Sequence, residues 1–87
     1  MFVILSYDIE IKRVSKVRRT VKKYLRPCQR SVFDGNITEA KLKELMRELE
    51  GLTEPEKDSI IIYKVSSNKL VQTEELGIVR RQQSRFL

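Results

Sequence analysis

Histidine is missing altogether from this chain, and there is a single cysteine, Cys28. Without histidine no Ser-His-Asp triad, Cys-His dyad or histidine-ligated metal can be built. One cysteine excludes an intramolecular disulfide and a cysteine-rich zinc site. Any catalysis therefore rests on carboxylates, hydroxyls, cations and a hard metal such as magnesium. Glycine and proline are also scarce, at three and two residues. No Walker loop, dinucleotide fingerprint, internal repeat or low-complexity tract is present. No apolar run approaches the roughly 20 residues that a membrane-spanning helix needs. The N-terminal run starts at Phe2 with no basic flank and no small-residue cleavage site, so it is not read as a signal peptide. A cytoplasmic protein without a membrane partner is expected. The 87 residues allow one domain, placed at 1–80, with a basic tail at 81–87. A chain this short is marginally stable alone, which favours a homodimer.

Positive charge is abundant and unevenly spread. The formal net charge is +6, and nine of the 18 Lys and Arg residues fall between Ile11 and Phe33, where there is no carboxylate. The balance turns acidic from Thr38 to Asp58, and Arg80, Arg81 and Arg85 close the chain. A positive field on one segment and one tail suits a polyanion, most often nucleic acid. The bland alternative is a solvated helix face, but like charges without compensating Glu make a costly surface.

The chain is organised around Phe2-Val3-Ile4-Leu5-Ser6-Tyr7-Asp8, a short apolar run that reads as a buried strand. Asp8 sits where that strand ends. It either caps the following helix or reaches solvent, a metal or a substrate. Val14, Val17, Val21 and Leu25 recur at helical spacing and predict an amphipathic helix over Lys12–Leu25, stopped by Pro27. Two short strands follow, with the reversal near Arg30-Ser31 and Gly35 as a bulge or kink in the second. Thr38 is a good N-cap, with Ile37 available to staple onto Leu42 and Gly51 to end a second helix, Glu39–Glu50. Ser59–Val65 is a second buried strand, Ser66–Lys69 a turn, and Leu70–Thr73 and Leu76–Arg80 two short terminal strands. The order is that of an α+β, ferredoxin-like βαββαβ fold with an extra C-terminal strand. Both helices cover one face of an antiparallel sheet. The other face needs cover, which sheet-to-sheet packing in a homodimer supplies, the extra strand crossing to the partner.

Tyr7-Asp8-Ile9, the basic helix, Gln29-Arg30-Ser31-Val32-Phe33-Asp34-Gly35 and Asp58-Ser59-Ile60-Ile61-Ile62-Tyr63 stand in an order and at a spacing that resembles the CRISPR-associated Cas-two family. The match covers positions 2 to about 65. What the resemblance implies is a ferredoxin-like homodimer with the two Asp8 residues facing each other across the twofold. It also implies a scaffold that joins Cas-one integrase dimers, so that foreign DNA is captured and inserted as spacers. Some members are described as metal-dependent nucleases. Carried over by position, Asp8 is the metal-binding carboxylate, for Mg2+, and Tyr7, Ser31 and Phe33 fall on the motif positions beside it. The chain departs from the family in having Pro27 where a basic residue is common, with Arg26 or Arg30 as the substitute.

Two functions are weighed from the residues. A scaffold needs a rigid dimer and basic helices, and Arg13, Lys16, Arg18, Arg19, Lys22, Lys23, Arg26 and Arg30 are the candidate nucleic-acid contacts. Phosphate contacts of this kind give sequence-tolerant, salt-sensitive binding to double-stranded DNA or to RNA. A magnesium-dependent endonuclease needs two carboxylates, met by one Asp8 from each protomer. Asp34 is a candidate second ligand, although turn aspartates more often bond their own backbone. A third reading is an RNA-binding module or toxin-like ribonuclease, the former disfavoured by the lack of an aromatic-rich sheet signature. Arg80, Arg81, Arg85 and Phe86 either dock on the integrase or DNA, or form a disordered tail. The scaffold is the preferred expectation, with cleavage as the alternative.

Overall fold

The computed structural model describes residues 1–65 and 71–77, and for 71–75 the backbone alone. Seven elements follow in order: β1 (Phe2–Asp8), α1 (Ile11–Val21), β2 (Arg26–Gln29), β3 (Val32–Asn36), α2 (Glu39–Leu52), β4 (Ser59–Val65) and β5 (Val71–Gly77). The sheet order is β2-β3-β1-β4-β5 with every neighbouring pair antiparallel. Omitting β5, this is the ferredoxin-like arrangement expected from the sequence, with β1 in the middle.

β1 is central because both of its faces are apolar at alternate positions. Val3, Leu5 and Tyr7 point to the helices and are buried, while Phe2, Ile4 and Ser6 lie half-buried on the other face and Asp8 is exposed. Pairing in register sets Leu5 between Phe33 and Ile62. Those three meet Val17 and Val21 of α1 and Leu42, Leu45 and Leu49 of α2 in one core. The other face is apolar too, with buried Ile61 and Tyr63 of β4 beside half-buried Ile4 and Ser6.

Several boundaries differ from the sequence reading. α1 ends at Val21, four residues early, because the chain tightens into a turn. Lys23 and Tyr24 donate their N–H groups to the carbonyls of Thr20 and Val21, three residues back. Leu25 keeps its place in the core from that turn, so its apolar spacing holds without a helix to deliver it. The β2–β3 reversal lies at Arg30-Ser31 as expected, but the bulge is on β2 between Pro27 and Gln29. Gly35 stays in register with Val3 and instead carries a positive φ of 152°. α2 runs through Gly51 to Leu52, and its end is held by the Thr53 hydroxyl donating to the Leu49 carbonyl (2.9 Å). At its start the Thr38 hydroxyl accepts the Lys41 N–H (3.1 Å), the N-cap expected there. Among the described residues one strand, β5, runs across the junction of the two expected terminal strands, and it pairs with β4 of its own chain. The Ser66–Lys69 turn, the residues from 78 to Arg80 and the tail lie outside the described residues.

One buried carboxylate ties the ends of three elements together. Asp58 is 1 % exposed. Its Oδ1 accepts from the Glu10 N–H (2.9 Å) and from Arg13 (3.0 Å), and its Oδ2 accepts from the Glu54 N–H (2.9 Å) and Arg13 Nε (2.6 Å). Glu10 is the N-cap of α1 but makes no side-chain cap, and Asp8 does not cap that helix. The Asp58 carboxylate is therefore what receives the chain entering α1. Arg13's hydrogen bonds hold the Asp58 pKa down at about 2, against burial, which alone would raise it. On the far side, Gly77 has φ 81°, and a Cβ there would collide with the Asp58 carbonyl oxygen.

The Asp58 pKa lies below its ordinary value, so its contribution is complete above about pH 4 and disappears as pH falls towards 2, about 2 kcal/mol in all. Urea midpoints of wild type and Asp58→Asn should converge across that window and stay apart near neutrality. Gly77→Ala should cost about 1–3 kcal/mol, through a left-handed backbone and a steric clash, measured as a lower thermal midpoint.

Candidate nucleic-acid interface and strand-end carboxylate

The two-residue period of β1 sends Tyr7 inward and Asp8 outward. Tyr7, Ser31 and Phe33, the motif residues beside Asp8, do come together. The Tyr7 N–H donates to the Ser31 carbonyl (3.1 Å), which ties the end of β1 to the β2–β3 turn. The Tyr7 and Phe33 rings are tilted at 31° with centroids 6.1 Å apart. Both rings are in the helix-side core, so they stiffen the strand end and do not share the exposed side with Asp8.

Asp8 itself is exposed and pairs in register with Ser59 of β4. Asp34 does not join it. Asp34 lies opposite Ile4, four residues back along β1, which is about 13 Å at the usual strand rise. It accepts instead from Arg26 Nε (2.8 Å). That bond, ahead of burial, lowers the Asp34 pKa. The Cys28 thiol is pushed up, by burial first and then by its hydrogen bond to Asp34. Among the described residues no three of Cys, Asp and Glu cluster as a metal site. At the end of β1 what the described residues offer a hard cation is the solvent-facing carboxylate of Asp8. That donor fits magnesium, which commonly takes one or two carboxylates and keeps several waters.

The cations of α1 and the β2–β3 turn divide into engaged and free groups. Arg13, a candidate nucleic-acid contact by sequence, has its guanidinium committed to Asp58, to Glu10 Oε1 (3.0 Å) and to Glu54 Oε2 (3.4 Å). Lys23 pairs with Glu48 of α2 at 2.9 Å, and Arg26 with Asp34. The Tyr24 hydroxyl also donates to Glu48, which pushes its pKa up to about 12. Arg18 lies over the Phe33 ring, 5.5 Å from its centroid, a cation–π contact that half buries it. Lys12, Lys16, Arg19, Lys22 and Arg30 are exposed and have no ion pair among the described residues. Lys12, Lys16 and Arg19, at spacings of four and three, share one face of α1.

Asp58 is the working part that the sequence hides. In the linear chain it is only the first letter of a strand motif. Its one local signal is that of an acidic residue just before a strand with an Ile60-Ile61-Ile62 run, and its partner Arg13 lies 45 positions away.

Known proteins resemble this chain in sequence and in fold. The family model described as CRISPR associated protein Cas2 matches residues 1–73. The CRISPR-associated endoribonuclease Cas2 of Dictyoglomus turgidum is 40% identical over 87 residues, all of both chains. That of Frankia alni is 42% identical over 78 residues, 90% of each. Among solved structures, one described as the crystal structure of Cas2 superposes with a TM-score of 0.70 at 41% identity, covering 72% of this chain and 71% of the other. Streptococcus pyogenes Cas2 gives 0.70 at 27% identity, covering 78% and 89%. With the family model matching residues 1–73 and a relative aligned along its whole length, this chain belongs to the CRISPR-associated Cas2 family.

Proposed function

We propose that this protein acts in CRISPR spacer acquisition as a homodimer that binds nucleic acid through its phosphate backbone and bridges Cas-one integrase dimers. The observation that carries the binding is the set of exposed cations without an ion pair among the described residues, Lys16, Arg19 and Lys22 on and just after α1, with Arg30 at the β2–β3 turn. Point charges of this kind neutralise phosphates irrespective of sequence, which capture of arbitrary foreign DNA requires. Arg13, held by three carboxylates, leaves the contact set. The half-buried apolar face of Phe2, Ile4 and Val32 supports closure against a second copy, which buries what one chain leaves open.

A second reading is favoured by Asp8 and by the relatives, which are called CRISPR-associated endoribonucleases. In it, the Asp8 carboxylates of two protomers meet at the twofold and hold Mg2+ for hydrolysis of a phosphodiester. The metal supplies an activated water and a charge clamp on the phosphate. Two carboxylates brought together repel, so a divalent cation between them offsets that cost. Cleavage and scaffolding use different surfaces and are compatible in one dimer.

Replacing Lys16, Arg19 and Lys22 together by Ala should weaken duplex DNA binding and flatten its salt dependence by roughly 0.9 in log–log slope for each phosphate no longer neutralised. Fluorescence anisotropy across a salt series measures this, and an unchanged slope would remove α1 as the interface. Asp8→Asn should leave anisotropy unchanged and lower Mg2+-dependent cleavage of RNA by about a hundredfold, some 3 kcal/mol of barrier. If neither protein cleaves, the binding reading stands and the hydrolytic one does not.

A further inference from the structure

We propose that Asp58, locked by Arg13, is the positioning residue for Asp8. Its buried carboxylate fixes the backbone on the far side of Asp8, so that the exposed carboxylate is presented to a divalent cation in one direction. The inference rests on the metal-binding reading of Asp8.

The geometry is a clamp with two jaws that are adjacent in sequence. Asp8 is the last residue of β1 and pairs with Ser59. Two residues later, the Glu10 N–H donates to Asp58 Oδ1 (2.9 Å). The span from Asp8 to Glu10 is therefore tied at one end to Ser59 and at the other to Asp58, which immediately precedes it. Ile9, between them, packs on the core. A strand end normally frays, because the last residue has a partner on one side only. Here both sides of Asp8 are held. The ladder at Ser59 continues to Gly77 of β5, which closes over the same spot.

Asp58 is suited to this by its own saturation. A carboxylate offers about four acceptor directions, and all four are used by two backbone N–H groups and two guanidinium nitrogens. Arg13 is in turn steered by Glu10 and Glu54, so neither partner of the pair is free to turn. Asn at this position would turn an N–H group towards a donor and lose part of the set. Lys at position 13 would keep the charge and lose the planar fork that meets both oxygens. Groups hydrogen-bonded to a metal ligand change affinity by about 10- to 100-fold when removed, and Asp58, acting through the Glu10 backbone rather than on Asp8 itself, belongs at the low end of that range.

The test uses Mn2+, which takes the same oxygen ligands, with bound metal counted from the free-ion electron paramagnetic resonance signal. Wild type, Asp8→Asn, Asp58→Asn, Arg13→Lys and Tyr24→Phe are titrated at neutral pH, each first checked for a folded circular dichroism spectrum. Tyr24→Phe breaks the contact to Glu48 beyond the C-terminal end of α1, and controls for a general fall in stability. Expected is a loss of Mn2+ affinity in Asp8→Asn and a drop of about tenfold in Asp58→Asn and Arg13→Lys, with Tyr24→Phe unchanged. If Asp58→Asn does not fold, Arg13→Lys alone decides. Wild-type affinity in the folded clamp variants would overturn the positioning role while leaving Asp8 as the ligand. Equal weakening in Tyr24→Phe would overturn it as well, since stability would then be the cause. If wild type and Asp8→Asn bind alike, the metal reading of Asp8 falls and takes this inference with it.

Discussion

A carboxylate shut away from water with a guanidinium is the interaction on which most of this small fold leans. Burying either charge alone would cost several kcal/mol, and the pair is tolerable only because every acceptor direction of Asp58 is met. The pair contributes placement more than net stability. It sets where α1 begins and how the loop after α2 turns into β4. Removing one partner strands the other, which is why such pairs cost about 3–5 kcal/mol to break although replacing both by apolar groups is often neutral.

Charge in this chain is thus put to two separate uses. Arg13, Lys23 and Arg26 hold elements together through carboxylates drawn from three different regions. Lys16, Arg19, Lys22 and Arg30 are exposed to solvent and have no ion pair among the described residues. A single run of basic residues in the sequence therefore becomes a mixed population in space. The acidic stretch from Thr38 to Asp58 supplies much of the counter-charge for the structural share.

How much of this is legible in the sequence varies with the range of the interaction. The two-residue alternation of β1 and the helical spacing of Val14, Val17 and Val21 are local signals, and the topology follows from them. Thr38 is legible for the same reason, since a cap is satisfied within four residues. The end of α1 is not, because Leu25 is as buried from a turn as it would be from a helix. Burial fixes a spacing and leaves the backbone free. Glycine misleads at Gly51, which sits inside α2, because the helix end is held by Thr53 instead. The exposure of Asp8 at a strand end is visible from its neighbours. The Arg13–Asp58 pair is not, since nothing local distinguishes an arginine bound for a distant aspartate from one bound for phosphate.

One edge strand, β2, has a further consequence for how copies of this protein meet. All four of its residues are exposed, one of them is Pro27, and the ladder to β3 slips beside Cys28. Proline has no N–H to lend to a neighbouring chain, and a slipped ladder presents a twisted, uneven row of donors and acceptors. This margin of the sheet is therefore a poor template for adding a strand, and open-ended stacking of copies edge to edge is discouraged. Along this margin the sheet resists growth by strand addition.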